Sequence, residues 1–243
     1  MKPFKLSFMA LLLLGVAACN KGNMNSSSND PTDQAADLVT SSLSINTDGA
    51  YNTISDASVE TQAKVSIDTT CGTTWTDSVT RKMPLSQGTS YNYTSKYSYT
   101  LNCGANNLFN GSATAISSYS GSFTGPNLSS TNSGSSNFTL AGLLKTSTTY
   151  VLNGEYKRTG SYQTKTDSGS TNVDVVITNL TLTKPQHLFQ SGTATITVSG
   201  TSTKNGSFSY NGVLVFNGGN AATLTLNGTI YTIDLSTGLK IRH

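Results

Sequence analysis

The chain has 243 residues with a formal net charge of +3 at pH 7, and only 11% of its residues are charged. Lys2 and Lys5 lie in a predicted export signal, so the mature chain would carry 13 basic residues against 12 acidic ones. So weak a field excludes electrostatic binding of nucleic acid as a main activity. Ser and Thr are far more frequent than in ordinary proteins, and a chain this polar yet this uncharged is unlike a disordered tail.

Residues 1–18 have the layout of a secretory signal. Lys2 and Lys5 give a basic start, and the apolar run over 6–18 is shorter than the roughly 20 residues that a membrane-spanning helix needs. The sequence therefore predicts a cleaved signal peptide rather than a transmembrane helix.

The end of this signal resembles the lipobox of bacterial lipoproteins, in Val16-Ala17-Ala18-Cys19. The resemblance implies a diacylglycerol thioether on Cys19 and further acyl chains, palmitate among them, which together make a stable anchor. Asn20 is not the Asp that marks retention in the inner membrane, so an outer-membrane location is expected, facing the periplasm or the cell surface.

Residues 19–30 are rich in Ser and Asn and are expected to tether the lipid to a folded domain over 31–243. Asp30-Pro31 has the sequence of a helix start, with Asp as cap and Pro at the first position. Apolar residues follow at helical spacing, which predicts one short amphipathic helix over about 31–45. Asp48-Gly49 ends this helix or turns the chain, and residues 50–61 stay ambiguous.

From about residue 62 the hydrophobic period changes from 3.6 to 2, which predicts strands and no further helices. Asn227-Gly228 and Asn205-Gly206 lie between alternating runs and predict hairpins. Asn211-Gly212 is too close to the second turn for another hairpin, so it is expected inside a strand as a bulge. A change of parity predicts a further bulge near Thr178.

These patterns predict an all-β fold of about eleven or twelve antiparallel strands. The expected architecture is one large twisted meander, curled into a partly open barrel or clam with the helix on its concave face. A two-sheet β-sandwich is the alternative.

The order of these features resembles a group of uncharacterised lipoproteins from Bacteroidota-type bacteria. It rests on the lipobox, the Ala-Ala-Asp-Leu helix near Ala35–Leu38, the Thr/Gly-rich strands and the closing run over 226–235. The likeness covers most of the mature chain and implies no particular activity.

Cys71 and Cys103 are the two cysteines that remain beyond Cys19. An even pair in an oxidising compartment predicts a disulfide, and the absence of a Cys-x-x-Cys motif makes redox or metal chemistry the weaker alternative. Trp75 lies close enough in sequence to cover this bond.

Tyr91, Tyr93, Tyr97 and Tyr99 share one face of a predicted strand. Rings in such a row can stack on sugars and form a glycan-binding face. The alternative, which we favour, is that they pack a core that is poor in aliphatic residues.

Catalytic and metal-binding patterns are weak. His187 and His243 are the two histidines, neither beside a nucleophile motif, and no metal or cofactor site is predicted. The sequence favours a non-enzymatic outer-membrane lipoprotein, a structural or binding module whose partner is a glycan or an envelope protein. The alternatives are a carrier that holds a lipid or other apolar ligand inside the curled sheet, and a hydrolase.

Overall fold

A computed structural model describes residues 30–86 and 88–243 of the chain. The signal peptide, Cys19 and all but the last residue of the predicted tether lie outside the described residues. The structure therefore concerns the domain predicted over 31–243.

Two helices begin the described chain. Helix α1 (Pro31–Leu43) starts as predicted, with the Asp30 carboxylate accepting a hydrogen bond from the backbone N–H of Thr32 at 2.9 Å. Asp48 then adopts a left-handed conformation with φ of 50°, so the chain turns sharply. Helix α2 (Ala50–Val65) follows directly.

Helix α2 corrects two predictions: that a single helix precedes the strands, and that strands begin near residue 62. Its sequence carries Asn, Ser and Asp residues between few aliphatic ones, so the hydrophobic period is faint. Its buried face is instead made largely of small and polar side chains, including Ala57, Ser58 and Thr61, which a count of aliphatic residues does not register. The sequence also predicted no helix among the strands, but a short 3₁₀ turn lies at Ala105–Asn107.

Over the described residues, eleven strands make one antiparallel sheet in which every strand pairs with its neighbours in sequence. Their bounds are Thr74–Ser86 (β1), Thr89–Cys103 (β2), Phe109–Thr124 (β3), Ser129–Ala141 (β4), Thr149–Gln163 (β5), Ser168–Thr183 (β6), Phe189–Ser202 (β7), Gly206–Gly218 (β8), Ala221–Leu226 (β9), Thr229–Asp234 (β10) and Leu239–Arg242 (β11). The predicted meander is confirmed, and the sheet does not close on itself. The two-sheet sandwich is not the fold.

The predicted turns are largely confirmed. Asn227 and Gly228 have φ of 49° and 81° between paired Leu226 and Thr229, which is a two-residue hairpin turn of type I′. Asn205-Gly206 joins β7 to β8. A register shift between Thr178 and Thr181 is the predicted bulge. Asn211-Gly212 does lie inside β8, but the β7–β8 ladder passes through it without a shift, so the bulge predicted there is wrong.

The sheet curls around the two helices. Flat, eleven strands spaced about 4.8 Å apart would be nearly 50 Å wide. Arg81 on β1, Arg158 on β5 and Arg242 on β11 nevertheless all contact the helical segment. Both edges and the centre of the sheet can reach one such short segment only if the sheet wraps it.

Glycines on the inner face permit this curvature. In one row across the sheet, Gly121, Gly160 and Gly200 alternate with larger residues on the strands between them. A Cβ at Gly160 would lie 2.1 Å from the Thr131 carbonyl oxygen, and one at Gly200 would lie 2.0 Å from that of Ser170. Only glycine allows the strands to bend this closely together.

The core lies between the concave face and the helices. Inward positions alternate with exposed ones along the strands, as in β3 and β7. Buried aliphatic and aromatic residues from both helices and from strands β2 to β10 form one continuous cluster. The helices therefore act as the second layer that buries the inner face of the sheet.

Candidate functional site

The predicted disulfide is present. Cys71 and Cys103 are bonded, with their Cα atoms 5.0 Å apart. Cys71 precedes the edge strand β1 and Cys103 ends β2, so the bond fastens the open end of this hairpin. Trp75 stacks on Tyr99, with ring centroids 5.1 Å apart, and the Lys64 ammonium lies over the indole ring.

Three of the four tyrosines proposed as a binding face are buried. Tyr93, Tyr97 and Tyr99 have exposures of 1%, 3% and 0%, whereas Tyr91 is half-buried. Tyr97 and Tyr99 stack on each other, and the Tyr97 hydroxyl donates a hydrogen bond to Asp56 of α2 at 2.6 Å. These rings pack beneath the helices, so the row does not present an open surface on which a sugar could stack.

Arg158 is the largest of the fully buried side chains among the described residues, and no role was predicted for it from the sequence. It projects inward from the middle of β5 and donates hydrogen bonds to the backbone carbonyls of Ser41 and Thr47, both at 3.1 Å. Its guanidinium also contacts the Tyr93 hydroxyl and lies 5.5 Å from the Phe123 ring centre. Arg158 thus fastens the end of α1 and the following turn to the centre of the sheet.

The one sequence feature that could have indicated the burial of Arg158 is its position in the alternating pattern of β5. Tyr156, Arg158 and Tyr162 are spaced by even numbers of residues along β5 and share its buried face. The Asn132 amide completes the surroundings, since its oxygen accepts from the Tyr93 hydroxyl at 2.9 Å and from Arg158 at 3.1 Å in the orientation that satisfies its neighbours.

Arginine–aspartate pairs tie the edge strand β1 to the helices. Arg81 contacts Asp56 of α2, and its Nη1 lies 3.5 Å from the Asp48 carboxylate. Burial raises the pKa of Asp48 above its usual 3.8, although Asn52 and Arg81 oppose this shift.

The opposite edge, β11, is tied in the same way. Arg242 lies 2.8 Å from Asp30 and 2.9 Å from Asp33, and Lys240 contacts Asp37. The basic side chains of β11 therefore point inward, toward the acidic face of α1. The helical segment and the two sheet edges are complementary in charge.

Asp167, in the β5–β6 turn, accepts hydrogen bonds from α1 and from the β7–β8 connection. Its carboxylate accepts from Gln34 of α1, from Ser202 at 2.8 Å, from Thr203 at 2.7 Å and from the backbone N–H of Lys204 at 3.1 Å. Desolvation opposes ionisation, but these hydrogen bonds outweigh it and hold the pKa of Asp167 well below its usual 3.8. Asp167 joins the β5–β6 turn to the β7–β8 turn and to α1.

Asp167→Asn is expected to lower the free energy of unfolding by about 1.5–3 kcal/mol at pH 7. The amide keeps one oxygen as an acceptor, but its two N–H groups then face neighbouring groups that are themselves hydrogen-bond donors. The native pKa is depressed, so the contribution of the charge is full above about pH 4, the unfolded value, and is lost as the pH falls through the native pKa. Thermal unfolding at pH 7 and pH 2 should therefore show a smaller difference between wild type and variant at pH 2. A difference that grows on acidification would contradict this role.

His187 and Ser58 form a pair that was not predicted. The Nδ1 atom of His187 lies 3.0 Å from the Ser58 hydroxyl, and the imidazole stacks on Tyr150. Burial and the nearby Lys184 lower the pKa of His187 below its usual 6.5, so the ring is neutral at pH 7. Ser58 is completely buried, and its hydroxyl donates to the Ser55 carbonyl at 2.9 Å, so this oxygen is not presented to solvent.

The outward face of the sheet has two different halves. Over β2 to β5 it forms a shallow groove of about 560 Å³. The groove is lined by the outward polar residues Asn92, Ser120, Ser122, Thr131, Ser133 and Thr159, together with Gly121, Asn132 and Gly160 of the inward row. Over β8 to β11 the outward face carries exposed aliphatic residues instead: Val213, Val215, Ile230, Leu239 and Ile241.

Within residues 30–86 and 88–243, no helix is long and apolar enough to cross a membrane. The same residues contain no group of three or more His, Cys, Asp or Glu side chains placed to hold a metal ion.

No known protein family, curated protein or solved structure matches this chain.

Proposed function

We propose that the protein is a non-enzymatic lipoprotein of the outer membrane, anchored through Cys19, that serves as a structural or binding module at the cell envelope. The observation that carries this proposal is that the helices of the chain occupy the concave face of the sheet. The surfaces left for a partner are the outward face and the two edges, which suit contact with an envelope protein or a glycan.

The disulfide supports an extracytoplasmic location. Disulfides persist in oxidising compartments and are rare in the reducing cytosol. The Cys71–Cys103 bond thus agrees with the export signal proposed for residues 1–18.

The carrier hypothesis has less support than the module. A carrier needs an interior that its side chains leave partly unfilled. Here α1 and α2 contribute residues such as Leu38, Val39 and Ile54 to the same buried cluster as the sheet, and the space expected for an apolar ligand holds part of the protein.

The anchor is tested by replacing Cys19 with Ser in the full chain. We expect the wild type to incorporate labelled palmitate and to separate with the outer membrane, and Cys19→Ser to remain unlabelled and unprocessed. The Cys71→Ser, Cys103→Ser variant is the matched control, since it removes cysteines without touching the proposed acylation site and should still be labelled. An unlabelled wild type, or one recovered in the soluble fraction, would overturn the anchor.

The non-enzymatic role is tested in cells that lack the protein. We expect loss of the protein to weaken the envelope, measured as sensitivity to detergent, and Ser58→Ala with His187→Ala to restore resistance as well as wild type does. Failure of this folded and correctly located variant to restore resistance would favour the hydrolase.

A further inference from the structure

The last strands of the sheet expose an unusual number of aliphatic side chains. We call Val213, Val215, Ile230, Leu239 and Ile241 the outward aliphatic patch; their exposures range from 40% to 56%. The ladders make the patch continuous: Val213 and Ile230 both pair with Thr225, and Ile241 pairs with Thr232 on the next row. Thr223, Thr225 and Thr232 lie between them, and Leu239 pairs with the exposed Asp234 at the border of the patch.

Strand β11 has its amphipathic faces reversed. A strand at the edge of a core normally turns aliphatic residues inward and charged ones toward water. In β11, Lys240 and Arg242 face the acidic residues of α1, so Leu239 and Ile241 point outward and are 51% and 56% exposed. The ion pairs with α1 thus fix a register that exposes apolar side chains, which indicates a partner for them.

The described chain begins at the β11 edge, on the inward side of the strand that carries Leu239 and Ile241 outward. Arg242 of β11 holds Asp30 at 2.8 Å, so the segment that leads back to Cys19 leaves the domain at the β11 edge. Eleven residue steps separate Asp30 from Cys19, and a chain of that length spans at most about 40 Å. A lipid on Cys19 therefore keeps the domain near the bilayer, which raises the effective concentration of lipid for any surface that can dock on it.

We propose that the outward aliphatic patch docks on the surface of the lipid bilayer in which Cys19 is anchored. This inference rests on the proposed lipoprotein function and adds an orientation: β8 to β11 face the membrane, and the polar groove over β2 to β5 faces away from it. On the opposite half of the outward face, Ile116 is 50% exposed and has the polar Ser98 and Asn137 as its cross-strand partners.

The test places a fluorescent tryptophan on each half of the outward face. Trp75 is the only tryptophan of the chain, so a Trp75→Phe background allows Ile241→Trp and, as the matched control, Ile116→Trp. Each full-length lipidated protein is reconstituted into phosphatidylethanolamine–phosphatidylglycerol vesicles with brominated acyl chains, and vesicle flotation is measured together with quenching. Circular dichroism checks the fold, and if Trp75→Phe fails to fold, the Trp75 signal is subtracted from that of proteins that retain it.

We expect both proteins to float, and the tryptophan at 241 to be quenched about fivefold more than that at 116, because docked side chains insert roughly 5–10 Å into the headgroup–acyl boundary. Flotation with equal, weak quenching at the two positions overturns the docking and leaves the anchor intact. Failure to float overturns the anchor and the docking with it. Equal, weak quenching with a dimer that Ile241→Ser abolishes assigns the patch to a second copy of the chain instead.

Discussion

Arg158→Ala is expected to lower the free energy of unfolding by about 3–5 kcal/mol, the largest effect of a single substitution that we expect in this protein. The variant leaves the carbonyls of Ser41 and Thr47 without their charged donor, and it leaves a cavity where a fully buried side chain stood. Chemical denaturation followed by circular dichroism measures the change.

The opposing effect is the desolvation of the guanidinium, which can exceed several kcal/mol for a buried charge. Removing Arg158 relieves that penalty. Three interactions of Arg158 outweigh this desolvation penalty in the folded protein. They are the hydrogen bonds from the charged guanidinium to two carbonyls, its contact with the Tyr93 hydroxyl, and its stacking over two aromatic rings. Desolvated cation–π contacts contribute about 2 kcal/mol each.

Lys157→Ala is the matched control for Arg158→Ala. Lys157 is the preceding residue on β5 and faces outward, with its side chain 46% exposed in ion pairs with Glu155 and Asp174. Exposed ion pairs contribute about 0–1 kcal/mol, so Lys157→Ala should change the free energy of unfolding by less than about 1 kcal/mol. Arg158→Met fills most of the space of the arginine without its hydrogen bonds. Its loss of stability should lie between those of Arg158→Ala and Lys157→Ala. A stability of Arg158→Ala equal to that of Lys157→Ala would show that the buried arginine does not hold the helices to the sheet.

Much of the sheet follows from local sequence. Alternation with a period of 2 and the Asn227-Gly228 turn specify neighbouring strands and their direction, because a two-residue turn leaves antiparallel pairing as the one outcome. Helix α1 follows from Asp30 and Pro31. Helix α2 was not predicted, since its buried face uses small polar residues whose hydroxyl groups bond to the backbone of the helix itself, as Thr61 does to the Ala57 carbonyl.

The candidate site was less predictable than the fold, because its chemistry depends on long-range pairing. Local alternation places Leu239 and Ile241 on one face of β11 but does not say which face is inward. That choice is made by register with β10 and by the carboxylates of α1, some 200 residues earlier in the chain. Asp167 similarly depends on Gln34 and on the β7–β8 turn.

The Cys71→Ser, Cys103→Ser variant is expected to lose about 3–4 kcal/mol of stability, the loop-entropy value for closing a loop of roughly 33 residues. The bond joins positions 32 residues apart and restricts the unfolded chain far more than the folded one. Denaturant unfolding of wild type in reducing buffer should match the variant, and the variant itself should not respond to the reductant.

The position of the disulfide also predicts where the loss is felt first. Strand β1 is an edge strand whose ladder runs to β2 alone among the described strands, so the Cys71–Cys103 bond adds a covalent restraint at the open end of its hairpin. Without it, hydrogen exchange of the β1 amides should accelerate more than that of β6, which pairs on both sides. Equal acceleration in β1 and β6 would mean that the bond acts on the unfolded state alone. Equal stability of the wild type and the variant would show that the disulfide does not stabilise this edge of the sheet.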